Sequence, residues 1–299
     1  MTAQLIAPDN KRRIVGFATL ARLVRGDRLA LIGFVLLVVV ILAAVLAPWI
    51  APYPADGTTA THPLDALLPP GSGHWMGTDQ VGRDVLTRVM YGARTSLAIA
   101  VAVLLLAAVI GVTLGVVAGY VGGVTRDIIM RITDVFLAFP ALLLSLALAM
   151  VLHPSVGTAI VAIAVTWWPW YTRLAASVAA SVRHRGYIDA ARCLNMPTSR
   201  IIRRHVLPNS LTPVLVQISL DAGGIILTAA SLSYLGLGAQ EPTSEWGLMV
   251  EQGQSLFTTD WWVVTFPGLA ILVTAFAFNV LGEGLRAALR IRTAHPGIP

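Results

Sequence analysis

Apolar residues fall along this chain in long blocks separated by shorter polar stretches, and the blocks set the expected architecture. Residues 29–50 are uncharged and apolar, about 30 Å long as a helix, enough to cross a bilayer once. The run is too long for a signal-peptide core and lacks a small-x-small cleavage site before Pro52. Residues 96–117 form a second block, in which Gly111, Gly115 and Gly119 recur at four-residue intervals as a face for close helix contact. Residues 128–152 form a third, with Arg131 and Asp134 spaced to pair on one face and Pro140 placed to kink it. Residues 155–177, 211–235 and 261–285 complete the set. The expected fold class is an all-α polytopic membrane protein with six transmembrane helices.

The polar stretches divide the chain further. Residues 1–28 are a polar N-terminal segment, 29–51 the first transmembrane helix, and 52–95 a segment on the far side of the membrane. Residues 96–288 form a five-helix core interrupted by the loop 186–209, and 289–299 are a basic tail. Within 52–95, Gly77 and Gly82 permit tight turns, and residues 84–91 suit a short interfacial helix leading into the next span. Residues 236–260 read as an acidic, amphipathic loop.

The loop 186–209 is charged but not slack. Asp189, Ala190 and Ala191 open a helix-compatible run, with Asp189 suited to its positive end. Asn195 falls where the residue after a helix turns left-handed, the usual place for Gly or Asn. Pro197 stops the first helix, Thr198 or Ser199 can cap a second, and Pro208 is expected to end that one after Leu207. Two short helices on such a loop make a rigid knob shaped to press on a partner; a basic loop lying on anionic lipid is the plainer alternative.

Composition and charge fix the class. Of 299 residues, 56% are hydrophobic and only 12% charged, the balance of an integral membrane protein. With six crossings, and with Arg131 and Arg173 taken as lying near cytoplasmic helix ends, 18 of the 21 Lys and Arg residues fall on the side of both termini; only Arg83, Arg88 and Arg94 fall opposite. That asymmetry places the termini and the knob in the cytoplasm. The single cysteine, Cys193, rules out an internal disulfide framework. No Gly-rich phosphate loop, Ser/His/Asp triad or metal-ligand cluster is present in the sequence; His74, Asp79 and Asp84 are joined by no further ligand at a usual spacing. Nothing points to nucleic acid.

Two signatures now acquire a meaning together. Asp189-Ala190-Ala191, then Asn195, then Leu207-Pro208, resembles the EAA loop of ABC-importer permeases, with Asp for Glu and Asn for Gly. The run from His74 through Gly77, Thr78, Asp79, Gly82, Arg83 and Asp84 to Gly92-Ala93-Arg94 is similar to the C-type permease subunits of dipeptide, oligopeptide and nickel importers. The resemblance implies an ABC type I importer (MetI-like) permease fold in the bacterial inner membrane. It implies that Gly186, Tyr187, Asp189, Ala190, Ala191, Asn195, Pro197, Arg200, Leu207 and Pro208 form a coupling helix docking on a cytoplasmic ATPase. The implied partners are a second, B-type permease, two ATPase subunits that bind ATP and Mg, an extracytoplasmic solute-binding protein, and membrane lipid. This chain itself would hold no cofactor and catalyse no reaction. The implied solute is a di- or oligopeptide, with nickel or a nickel chelate as the alternative.

Intramembrane polar residues are the remaining candidates. Asp134, Asp221 and Trp170 could line the solute path or contact the second permease. An aromatic belt is the plainer and preferred reading of Trp170 with its neighbours Trp167, Trp168 and Tyr171, and an internal hydrogen bond to a neighbouring helix is the plainer reading of Asp221. A membrane enzyme would need ionisable residues converging at one interface, and Asp134, Asp221 and Glu283 are scattered by the expected topology.

Overall fold

The computed structural model describes residues 28–71 and 73–290, so the polar N-terminal segment and most of the basic tail lie outside the described residues. Within them the regular elements are all helices, apart from an isolated bridge between Thr78 and Asp84. The long helices are α1 (Arg28–Ile50), α2 (Val85–Val121), α5 (Val156–Arg183), α7 (Thr198–Tyr234) and α9 (Trp262–Arg290). The short ones are α3 (Gly123–Leu137), α4 (Ala141–Val151), α6 (Gly186–Cys193) and α8 (Trp246–Gly253).

α2 and α5 form the central pair, packed more extensively than any other two elements. The glycine stripe is the reason. A Cβ on Gly111 would lie 2.5 Å from the Trp168 carbonyl oxygen; on Gly115 and Gly119 it would come closer still to the Thr172 and Ala176 oxygens. Three glycines against backbone four residues apart let the two helices meet main chain to main chain, a mode suited to lipid, where hydrophobicity does not favour helix pairing. α7 and α9 pack beside this pair through Gly223, whose missing side chain admits Asn279 and the Ala275 carbonyl. α1 lies on α9, with Gly33 against the Ala277 carbonyl.

Among the described residues, four helices are long and apolar enough to cross a membrane: α1, α2, α7 and α9. α3 and α4 together make a fifth, but they are bent by 86°. The expected single kinked helix over 128–152 is therefore two helices. Pro140 adopts an extended ψ of 126° and caps α4, so the residues around Phe139 leave the helix instead of bending within it. α5 is long enough, but its Trp, Thr and Pro content and Arg173 keep it below the apolarity of a lipid-facing span.

Three local expectations are corrected. Residues 84–91 are not a separate interfacial helix; Asp84 caps α2, accepting from the Thr87 amide at 2.8 Å, and the helix runs on without a break to Val121. Pro208 does not end a helix. The chain winds through a π-turn at Ile202–Val206, where the Leu207 amide bonds the Ile202 carbonyl, and continues as α7 to Tyr234. The wider turn makes room for a proline ring within the helix, and Asn209 and Ser210 bond the His205 and Val206 carbonyls with their side chains. Finally, the acidic loop 236–260 contains α8, capped by the buried Glu245.

Candidate coupling knob and solute-path residues

α6 has eight residues and two faces. Ile188 and Ala191 are buried in the main core with Ile201 and Val206, which anchors the knob to the bundle. The opposite face presents Gly186, Tyr187, Asp189, Ala190 and Leu194, the last 79% exposed. The helix ends as expected. Asn195 has φ +51°, its amide bonds the Arg192 carbonyl at 2.9 Å, and the Met196 amide reaches back to Ala191 at 3.1 Å. That pair of bonds is a Schellman cap, which requires a left-handed residue at this position. Pro197 then starts the turn into α7 and accepts from the Arg200 amide at 2.8 Å.

Braces hold the knob from outside. Asp189 lies in the first turn of α6 but pairs with Arg192 at 3.1 Å, both exposed. The Arg192 guanidinium also sits 5.5 Å above the Tyr120 ring at the end of α2. The Tyr187 and His205 rings are 5.9 Å apart, joining α6 to the π-turn. Leu207 is half-buried and Pro208 exposed, both already within the helical run. Because α7 begins at Thr198, the second half of the knob, 198–209, and a candidate membrane span are one continuous element.

At the other end of the bundle, the 74–84 signature folds inward. Asp79 accepts from the Val81 and Arg83 amides at 2.9 Å each, from Arg83 Nε at 2.8 Å and from Arg88 at 2.6 Å. Arg83 also reaches Glu241, and Arg88 reaches Gln252. Asp84 bonds His74 Nδ1 at 2.9 Å, and its amide donates to Asp56. Thr78 accepts from Trp262 Nε1 through its carbonyl. Gly77 and Gly82 have φ +73° and +80°, and any side chain there would strike Trp262 or the His62 backbone. This signature is a buried lock joining the start of α2 to α8 and α9.

The intramembrane candidates separate into two places. Asp134 pairs not with Arg131 but with Arg173 of α5, at 2.6 Å. Trp170 lies one turn from Arg173 and lines a cavity with the residues of the α3–α4 elbow. Asp221 is elsewhere, on α7. Gln217 donates to its Oδ1 at 2.9 Å, while Oδ2 and the Tyr171 hydroxyl lie beside each other, buried, without a formed hydrogen bond. Arg173, Tyr171 and Arg88 were missed by sequence reasoning, since each meets its neighbour, Asp134, Asp221 or Asp79, from a different turn or helix.

Comparison with known proteins gives a consistent result. Residues 111–295 match the family described as binding-protein-dependent transport system inner membrane component, and residues 15–70 match the N-terminal transmembrane domain of oligopeptide transport permease C. The chain is 41% identical to the probable D,D-dipeptide transport system permease protein of Escherichia coli (strain K12), over 95% of this chain and 94% of that one. It is 45% identical to the dipeptide transport system permease protein of the same strain, over 87% and 88%. An inward-facing structure of the MetNI methionine ABC transporter superposes with a TM-score of 0.53 at 17% identity, covering 67% of this chain and 96% of that one, a likeness of fold.

Proposed function

The chain belongs to the family of binding-protein-dependent transport system inner membrane components, a family of transport components rather than enzymes, and on that premise we propose that it is one of two permease subunits of an ATP-driven peptide importer. The observation that carries the mechanism is that the second half of the knob, 198–209, runs straight into a candidate span. A short helix anchored by Ile188 and Ala191 and closed by a left-handed Asn195 is joined to α7 by the four-residue turn 194–197, which is held by the Asn195, Met196 and Arg200 amides. A push on its exposed face therefore moves α7 as a body.

Partner ATPase subunits bind ATP and Mg and dock on Gly186, Tyr187, Asp189, Ala190, Asn195, Pro197 and Arg200. A B-type permease completes the path, and an extracytoplasmic binding protein delivers the solute. The charge asymmetry supports cytoplasmic termini and knob. Six crossings follow if α5 is a span sheltered by its neighbours and α3 with α4 a broken one; the 28 residues of α5, about 42 Å as a helix, support this. The solute is a di- or oligopeptide, supported by the substrates named for both relatives.

The test is co-purification. An affinity-tagged chain should bring down an ATPase from the native membrane, and Asp189→Lys, which breaks the Arg192 pair and reverses the charge on the exposed face, should release it while leaving the chain inserted. Retention of the ATPase at parental stoichiometry in Asp189→Lys would remove Asp189 from the docking face.

A further inference from the structure

Asp134 and Arg173 pair at 2.6 Å, yet their side chains are 56% and 53% exposed, and Trp170 beside them is 54% exposed. Arg173 lies ten residues before Arg183, about 15 Å along α5 from the end where Arg183 bonds the Val121 carbonyl. With α5 as a span that depth is within hydrocarbon, not at the helix end where the charge count placed Arg173; 16 of the 21 Lys and Arg residues stay on the cytoplasmic side when Arg131 and Arg173 are left out. Charged groups turned to lipid at that depth are costly. The backbone supplies an independent observation. Ala138, Phe139 and Pro140, between α3 and α4, are exposed and only partly helical. Irregular backbone at membrane depth is tolerated only within protein or beside a water-filled cavity. A cavity of about 340 Å³ lies at this elbow, walled by Phe136, Phe139, Pro140, Thr166 and Trp170, one helical turn from the ion pair.

One cation, one anion and an aromatic wall form the complement of a zwitterion. We propose, resting on the peptide-permease reading, that this is a station on the solute path where a peptide replaces the ion pair. The peptide's terminal carboxylate takes the Arg173 guanidinium, its ammonium takes Asp134, and its side chain lies against Trp170. The guanidinium fork suits a carboxylate, and each protein charge exchanges one ionic partner for another, so no bare charge is left. The termini of a dipeptide are about 7 Å apart when extended, so α3 and α5 separate locally to admit it. α3 packs on α5 far less extensively than α2 does, which makes it the element free to yield. A solute lacking either terminal charge leaves Asp134 or Arg173 unpaired and passes poorly.

The experiment uses the assembled transporter in proteoliposomes, with Cys193→Ala removing the only native cysteine of this chain and Phe139→Cys placing a thiol at the cavity. Dialanine, delivered with binding protein and ATP, should slow maleimide labelling of Phe139→Cys several-fold. Adding Asp134→Asn and Arg173→Gln should abolish that protection and lower dialanine uptake by at least about tenfold, the loss of two charge-assisted contacts. Should the double variant fail to assemble, protection with the pair intact decides the matter. Labelling indifferent to dialanine, or blocked with or without it because the second permease covers Phe139, overturns the station while parental uptake of dialanine still stands. Absence of parental uptake overturns the peptide reading and the station with it.

Discussion

Removing the Asp79 carboxylate should destabilise the chain more than any other single change in the 74–84 signature. The side chain is 2% exposed and accepts four hydrogen bonds, two through Oδ1 from backbone amides and two through Oδ2 from Arg83 and Arg88. Both arginines are themselves almost fully buried. In Asp79→Ala, Arg83 keeps Glu241 at 3.2 Å, but Arg88 keeps only the Gln252 amide oxygen at 3.1 Å. Stranding a buried charge in this way costs about 3–5 kcal/mol. Asp79→Asn should be little better. Its amide presents NH2 to one pair of donors whichever way it is turned, leaving donor against donor. Adding Arg88→Met to Asp79→Asn should recover at least about 1.5 kcal/mol by removing the stranded charge. Thermal unfolding of the purified chain in detergent, followed by tryptophan fluorescence, should show Asp79→Ala lower in Tm by on the order of 10 °C. A shift under about 2 °C, or no recovery on adding Arg88→Met, would refute the buried-hub reasoning.

Three further outcomes follow from the same structure. Asn195→Gly should keep ATPase co-purification, whereas Asn195→Val should weaken it, because a left-handed φ costs a β-branched residue at least about 1–2 kcal/mol; equal behaviour of the two would sink the cap assignment. Gly115→Ala drives a methyl against the Thr172 carbonyl and the Ala175 side chain, so Tm should fall by a few degrees, the effect of about 1–3 kcal/mol of overpacking; an unchanged Tm would mean the α2–α5 contact is looser than described. Asp221→Asn gives the unbonded Oδ2 position a donor facing the Tyr171 hydroxyl, so assembly and uptake should stay near parental; a several-fold loss of cationic peptide uptake with assembly intact would instead put Asp221 on the path.

What was legible in the sequence was local or periodic. The apolar blocks, the glycine stripe and the left-handed Asn195 each follow from spacing or from one residue's backbone preference. Pro208 misled because a proline inside a helix reads as a stop, and the π-turn that accommodates it has no signature of its own in Ile202–Val206. Pro140 misled in the opposite sense: a kink was expected where the two halves part at 86°. The ion partner of Asp134 was invisible for a different reason. Arg131 stood three residues away, whereas Arg173 is brought in by the packing of α3 on α5, 39 positions along the chain. The Asp79 hub likewise gathers Arg88, Glu241 and Gln252 from three elements. Their convergence is tertiary, so spacing in one stretch could not reveal it.

The most direct test of the central claim is solute uptake by the reconstituted transporter. Proteoliposomes holding this chain with its permease and ATPase partners, supplied with the binding protein outside and ATP inside, should accumulate dialanine against its gradient. Accumulation should stop when ATP is omitted, and Asp189→Lys should abolish it. Accumulation without ATP, or ATP-driven uptake that is indifferent to Asp189→Lys, would contradict coupling through the knob.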